Sequence, residues 1–253
     1  MDIKAYLERI NYSGSLAPTA ATLRALQVAH LLTVPFENLS IHAGQAILLE
    51  DDALFTKIVT NRRGGFCYEA NGLFAALLRA LGFDVAMLSA QVANAAGEYG
   101  PAFDHMTLMV PLEQRWLADV GFGDSFREPL LLDEQGDQQQ GNRGYRIIQD
   151  GKHRILLQRE AGEEWKAQYR FTLQPHAYTD YAEMCHYHQT SPESHFTRGR
   201  ICSRATEDGR ITLSDMRFIT TSNSGGSQGR QERTLASEEE YAGVLREHFG
   251  VVM

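Results

Sequence analysis

The sequence predicts an α+β fold, and three observations carry that prediction. The first third places apolar residues at helical spacing. The middle third breaks into short strand-like runs separated by turn residues, and the last third mixes the two patterns. At 253 residues the chain suits one large unit or two to three small, closely packed ones. A content of 43% hydrophobic and 22% charged residues supplies a core of ordinary size.

In the first third, Pro18 stands where a helix would begin, and Leu23, Leu26, Leu31 and Leu32 follow at helical spacing up to Pro35. DDALFTKIVTN (51–61) supplies a short helix with acidic residues in its first turn and Ile58 and Val59 on its apolar side. After Cys67, residues Leu73, Phe74, Leu77, Leu78 and Leu81 form one apolar stripe, which Gly82 ends. The middle third opens with strands over 85–93, 105–112 and 115–123. YRIIQDGKHRILLQ (145–158) reads as a hairpin turning at Asp150-Gly151, and the Gly- and Gln-rich tract 133–145 as an exposed loop. Further on, RITLSDMRFITT (210–221) extends after a turn at Asp208-Gly209, and SNSGGSQGR (222–230) is a flexible loop. A last helix starts with Ser237 as N-cap and Glu240 three residues later, a capping-box pattern.

Charge and composition narrow the function classes. The net charge of −8 disfavours nucleic acid and anionic membranes as partners. The charged first residues lack the apolar stretch of a signal peptide, and no apolar run is long enough to span a bilayer. Three cysteines argue against a disulfide framework, so the expected location is cytoplasmic.

The stretch RRGGFCYEANGLF (62–74) sets Cys67 after two glycines and at the start of a helix. Unpaired N–H groups at a helix start lower a thiol's pKa and can hold an oxyanion. Gly64 and Gly65 permit a tight, positive-φ approach. The competing reading is a structural cysteine at a helix cap. A nucleophile needs a base and a group to orient it. His105 opens one strand and Asp119 lies in the next. Pairing Val110 with Arg115 across the turn sets His105 opposite Asp119 or Val120, whereas a slip of one residue separates the faces. A satisfied strand-end Asp with a surface His is the alternative there. Cys185, His186, His188 and His195 lie close in sequence but lack a tetrahedral zinc spacing, so no metal is expected, and Cys202 reads as strand packing. The glycines of DVGFGD do not have a nucleotide-binding spacing.

The segments VPFENLSIH (34–42), RRGGFCYEANGLF (62–74), FDHMTLMV (103–110), WLADVGFGD (116–124) and SPESHFTRGRICSRAT (191–206) resemble the arylamine N-acetyltransferase family, in order over nearly the whole chain. The resemblance implies a helical bundle (1–84), a central β-barrel (85–185) and a C-terminal α/β lid (186–253), with a cysteine-protease-like triad between the first two. It implies acetyl transfer from acetyl-CoA, as co-substrate, through an acetyl-cysteine to an arylamine, aryl hydrazine or N-hydroxyarylamine. Matched by position, Cys67, His105 and Asp119 form the triad, and Phe36 and Phe122 line the acceptor pocket. Arg63 and Glu69 match structural positions flanking the nucleophile. CoA contacts vary across that family, and the match points to Ala102, Phe103 and Ser194. Pro101, Ala102 and Glu193 stand where relatives carry smaller or hydroxylated residues. A Cys–His–Asp hydrolase or transglutaminase-like acyl transferase shares the same residue order. A binding module with an inert thiol is the third reading.

Overall fold

The computed structural model describes residues 1–222 and 229–253. Helices α1 (Ile3–Arg9) and α2 (Ala20–Thr33) come first, with Thr19 rather than Pro18 at the N-cap, its hydroxyl accepting from the Thr22 N–H. A two-residue strand β1 (Phe36–Glu37), a turn of helix α3 (Leu39–His42) and α4 (Asp51–Phe55) follow, the last continuing as a π-helical turn over 56–60. Helix α5 (Cys67–Ala80) runs through the centre of this part. Gly82, at φ +89, takes the left-handed conformation that stops it.

The middle of the chain folds into an eight-stranded antiparallel sheet. Its strands are β2 (Ala86–Val92), β3 (His105–Pro111), β4 (Arg115–Ala118), β5 (Leu130–Leu131), β6 (Gln138–Gln140), β7 (Arg143–Asp150), β8 (His153–Glu160) and β9 (Lys166–His176). The order is β5-β4-β3-β2-β9-β8-β7-β6, which leaves β5 and β6 as the edges. Glutamine side chains stitch these edges together. Gln138 Oε1 accepts from the Leu131 N–H and its Nε2 donates to the Leu131 carbonyl, at 2.7 and 2.9 Å. Gln140 does the same for Arg127 and Glu128. A primary amide has the donor and acceptor of a peptide group, so the sheet is nearly closed without a backbone ladder at the seam. The tract expected as an exposed loop therefore contains a strand. Its polar residues satisfy backbone groups that a loop would leave to water. The β7–β8 turn is Gly151-Lys152, one residue later than expected, with φ +56 at Gly151.

Helix α6 (Ala182–Thr190) crosses residue 185, and a short helix α7 (His195–Arg198) follows. Strands β10 (Ile201–Thr206), β11 (Gly209–Ser214), β12 (Arg217–Ser222) and β13 (Arg230–Thr234) build a second sheet, completed by β1 on its edge beside β10. The run 210–221 is two strands, because Asp215 at φ +47 turns the chain. The expected flexible loop 222–230 lies largely outside the described residues, which resume at Gly229. In α8 (Glu238–Val244), Ser237 caps Glu240, but the Glu240 carboxylate reaches the Ala236 N–H instead of closing the box on Ser237. No described helix is long and apolar enough to cross a membrane.

Strand β3 is the hinge of the core. Met106, Leu108 and Val110 pack towards α5, while the alternate residues face the barrel interior with Tyr169 and Phe171. His105 shares that interior side, its ring centroid 5.1 Å from that of Tyr169 and tilted by 48°.

Candidate active site

The chain just before α5 is clamped to β1. Glu37 N–H donates to the Gly65 carbonyl and Gly65 N–H to the Pro35 carbonyl, at 3.1 and 3.3 Å. A Cβ on Gly64 would sit 1.9 Å from the Pro35 oxygen, and one on Gly65 2.6 Å from Glu69 Cβ. The glycines are thus required for close approach; the positive φ of this stretch belongs to Arg62. Glu69 Oε2 accepts the Phe66 N–H at 3.1 Å while Oε1 meets Lys57 Nζ at 2.6 Å. Arg63 binds the fully buried Glu37 at 2.8 Å. These contacts fix the loop that ends at Cys67.

Cys67 and His105 line one cleft of about 570 Å³, a volume suited to a small ligand. His105 Nε2 lies 2.7 Å from Asp119 Oδ2. The register behind this contact differs from the expected one. Val110 pairs with Trp116, and the ladder stops at Leu108–Ala118. Continued, it would set Asp119 beside Thr107. Since Asp119 stands just past the end of β4, its side chain reaches His105 diagonally.

The carboxylate is held on every side. Oδ2 also accepts from the Tyr169 hydroxyl at 3.0 Å, and Oδ1 accepts from Asn71 Nδ2 and the Gly121 N–H, both at 2.9 Å. Asn71 also accepts the Val120 N–H and donates to the Met106 carbonyl, and Gln27 accepts the Asp119 N–H. Burial alone would push this carboxyl up, but His105, Asn71 and Gly121 outweigh it and hold the pKa below the usual range. Tyr169 is pushed far up by burial and by Asp119, which keeps it a donor.

Burial pushes the Cys67 thiol well up, and Cys185, Asp104 and Asp119 add to the effect, while a hydrogen bond from the Met106 backbone opposes it. Burial thus opposes the lowering expected from the helix start. A thiolate at Cys67 requires a compensating cation, and the cleft holds three imidazoles, of which His105 is the one anchored on Asp119.

A family profile described as N-acetyltransferase matches residues 19–253. The arylamine N-acetyltransferase of Escherichia coli (strain K12) is 34% identical over 97% of this chain and 87% of that protein. The chain belongs to the arylamine N-acetyltransferase family. It is an acyltransferase of that family by descent, and its architecture agrees. The arylamine N-acetyltransferase structure from Salmonella typhimurium superposes with a TM-score of 0.91 at 31% identity, covering 98% of this chain and 90% of that one. That of Mycobacterium marinum, solved in complex with CoA, gives 0.90 at 31% identity, covering 99% and 93%.

Within this arylamine N-acetyltransferase chain, Phe36 and Phe122 both line the cleft, and the Phe122 ring lies 5.1 Å from that of His105. Ser194 lines it too, as the N-cap of α7. Phe103 does not: its ring packs against His176 and Tyr181 at 4.8 and 5.2 Å, and Pro101 and Asp104, on either side of Ala102 and Phe103, face the cleft instead. The physical reason is the positive φ of 64° at Phe103, which turns the ring inward while Tyr68 OH holds its carbonyl at 2.6 Å. Cys185 takes a hydrogen bond from Gln189, and His195 meets Arg198, so the Cys–His cluster around 185–195 does not converge on one point. Sequence reasoning missed Asn71, Gln27 and Tyr169. Asn71 was findable, standing four residues after Cys67 on the same helix face. Nothing local marks Tyr169.

Proposed function

We propose that this chain moves an acetyl group from acetyl-CoA to Cys67 and from there to an arylamine, aryl hydrazine or N-hydroxyarylamine, in a ping-pong sequence. The observation that carries this reading is the shared cleft of Cys67 and His105, with His105 Nε2 on Asp119 at 2.7 Å. That contact occupies Nε2, leaving Nδ1 to take the thiol proton. The resulting imidazolium, neutralised by Asp119, offsets the cost of a buried thiolate. The thiolate attacks the acetyl carbonyl, and CoA leaves as its thiol on receiving the proton from His105. In the second half-reaction His105 takes a proton from the amine as the amine nitrogen attacks the acetyl-cysteine; the C–S bond then breaks, releasing the amide and leaving Cys67 as thiolate beside the His105 imidazolium. Phe36 and Phe122 supply apolar walls for an aromatic ring. A lysine side chain, with a pKa of about 10.4, is overwhelmingly cationic at neutral pH, whereas an aromatic amine is neutral and nucleophilic. Support for acetyl-CoA as donor comes from the family and from the CoA complex of the Mycobacterium marinum relative.

The test is intact mass after mixing with acetyl-CoA alone. One acetyl adduct is expected, lost in Cys67→Ala and discharged by aniline but not by a lysine peptide. Absence of the adduct in wild type, or its persistence in Cys67→Ala, overturns the reading.

A further inference from the structure

The cleft holds two further polar side chains, Asp104 and His188, to which the proposed acetyl transfer gives no role. His188, on α6, is 5% exposed, and its Nδ1 lies 3.0 Å from Ser194 Oγ. Its Nε2 stands 3.2 Å from Asp104 Oδ1 but makes no hydrogen bond among the described residues. If Nδ1 carries the proton, two lone-pair atoms face each other across that gap. If Nε2 carries it, the N–H is not aligned on the oxygen. A hydrogen-bond donor entering the cleft beside Asp104 relieves the first of these arrangements.

Asp104 itself is fixed. Its Oδ2 takes the Val92 N–H at 3.4 Å, and a Cβ on Gly100 would come within 2.6 Å of that oxygen. Its side chain nevertheless stays 19% exposed on the cleft. Apart from His105, His188 and His195, the charged side chains around it carry one sign. Glu98, Asp104 and Glu193 line the cleft, and no lysine or arginine does among the described residues.

We infer that Asp104, steadied by His188, selects acceptors by charge, favouring an arylamine with a cationic or N–H-donating group at its far end and rejecting one with a carboxylate there. The inference rests on the proposed reading of this cleft as the acceptor site. A charge-assisted hydrogen bond in place of a repelled anion corresponds to about tenfold to a hundredfold in affinity.

Equilibrium binding tests it without requiring transfer. Dissociation constants of 4-(aminomethyl)aniline and 4-aminobenzoate are measured by calorimetry on the free protein, for wild type and Asp104→Asn. The cationic compound should bind at least about tenfold tighter to wild type, and the ratio should fall several-fold in Asp104→Asn. Should the variant not fold, the wild-type ratio at low and at about 0.5 M salt decides, since screening must shrink an electrostatic preference. Equal or reversed affinities in wild type, a ratio unchanged by Asp104→Asn, or a ratio insensitive to salt overturns the inference. Acetylation of Cys67, followed separately by mass, tells its failure apart from that of the proposed reaction.

Discussion

Replacing Asp119 by asparagine keeps the shape of the side chain and inverts its hydrogen bonding. Asp119 accepts four hydrogen bonds: from His105 and Tyr169 on Oδ2 at 2.7 and 3.0 Å, and from Asn71 and Gly121 on Oδ1, both at 2.9 Å. An amide has one acceptor oxygen, so one of these two sides must face an NH2 group. The Gly121 N–H is a backbone donor and cannot become an acceptor. Tyr169 can turn its proton to Thr107, 3.2 Å away, and His105 can change tautomer. The amide therefore settles with its oxygen towards Gly121 and its NH2 towards His105. That forces the imidazole proton onto Nδ1, the nitrogen that accepts from the thiol in the proposed reaction. It also removes the charge that balances an imidazolium. The equivalent swap in a serine protease triad lowers turnover by about 10⁴-fold through the same tautomer error. A loss of about 10³–10⁴-fold is expected here in the rate of Cys67 acetylation, followed by rapid-quench mass spectrometry with acetyl-CoA in excess. Iodoacetamide inactivation should shift to higher pH in parallel. An acetylation rate within about tenfold of wild type, with the alkylation profile unmoved, would refute the assignment of Asp119 as the orienting group.

Three further outcomes are expected. Phe122→Ala should lower kcat/KM for aromatic amines at least about tenfold more than it lowers Cys67 acetylation, because the ring borders the cleft beside His105; equal losses in the two half-reactions would count against an acceptor wall. Arg63→Met should destabilise the fold by about 3 kcal/mol or more in denaturant titration, as it strands the fully buried Glu37; a loss below about 1 kcal/mol would show that Lys57, 3.8 Å away, suffices. His30, fully buried with Nε2 unpartnered, has its pKa drawn down to about 3 by burial and then by Arg9. Its folded value lies below the unfolded one, so stability is complete above about pH 6.5 and is lost as pH falls towards 3. The thermal midpoint should fall over that window by the equivalent of a few kcal/mol, and His30→Gln should flatten the slope; an unchanged slope would contradict a neutral buried imidazole.

Much of this was legible because it is periodic or local. The stripe after Cys67 foretold α5, and the glycine pair foretold the close backbone approach before Cys67. What the pattern lacked was distance information. The His105–Asp119 contact survives a register one residue away from that expected, because β4 ends at Ala118 and frees the aspartate to lean across. Gln138 and Gln140 read as loop residues, since hydropathy does not register amides that substitute for a missing ladder. Tyr169 lies far along the chain from Asp119 and reaches it only once β9 has paired with β2.

Strand β1 has a bearing on how the molecule comes into being. Phe36 and Glu37 join the second sheet through Ser203 and Cys202, and Asn38 holds the Phe196 and Gly199 carbonyls and the Ile201 N–H. Contacts so distant in sequence form late, after the entropy of closing a long loop has been overcome. During synthesis, the helices around Cys67 therefore wait for residues 196–203 before the cleft has its Phe196 wall. A nascent chain stalled before that point carries Cys67 without an enclosed cleft. On the proposed reading, truncation upstream of residue 203 should abolish acetylation of Cys67 by acetyl-CoA, read by intact mass, even where α5 has already formed.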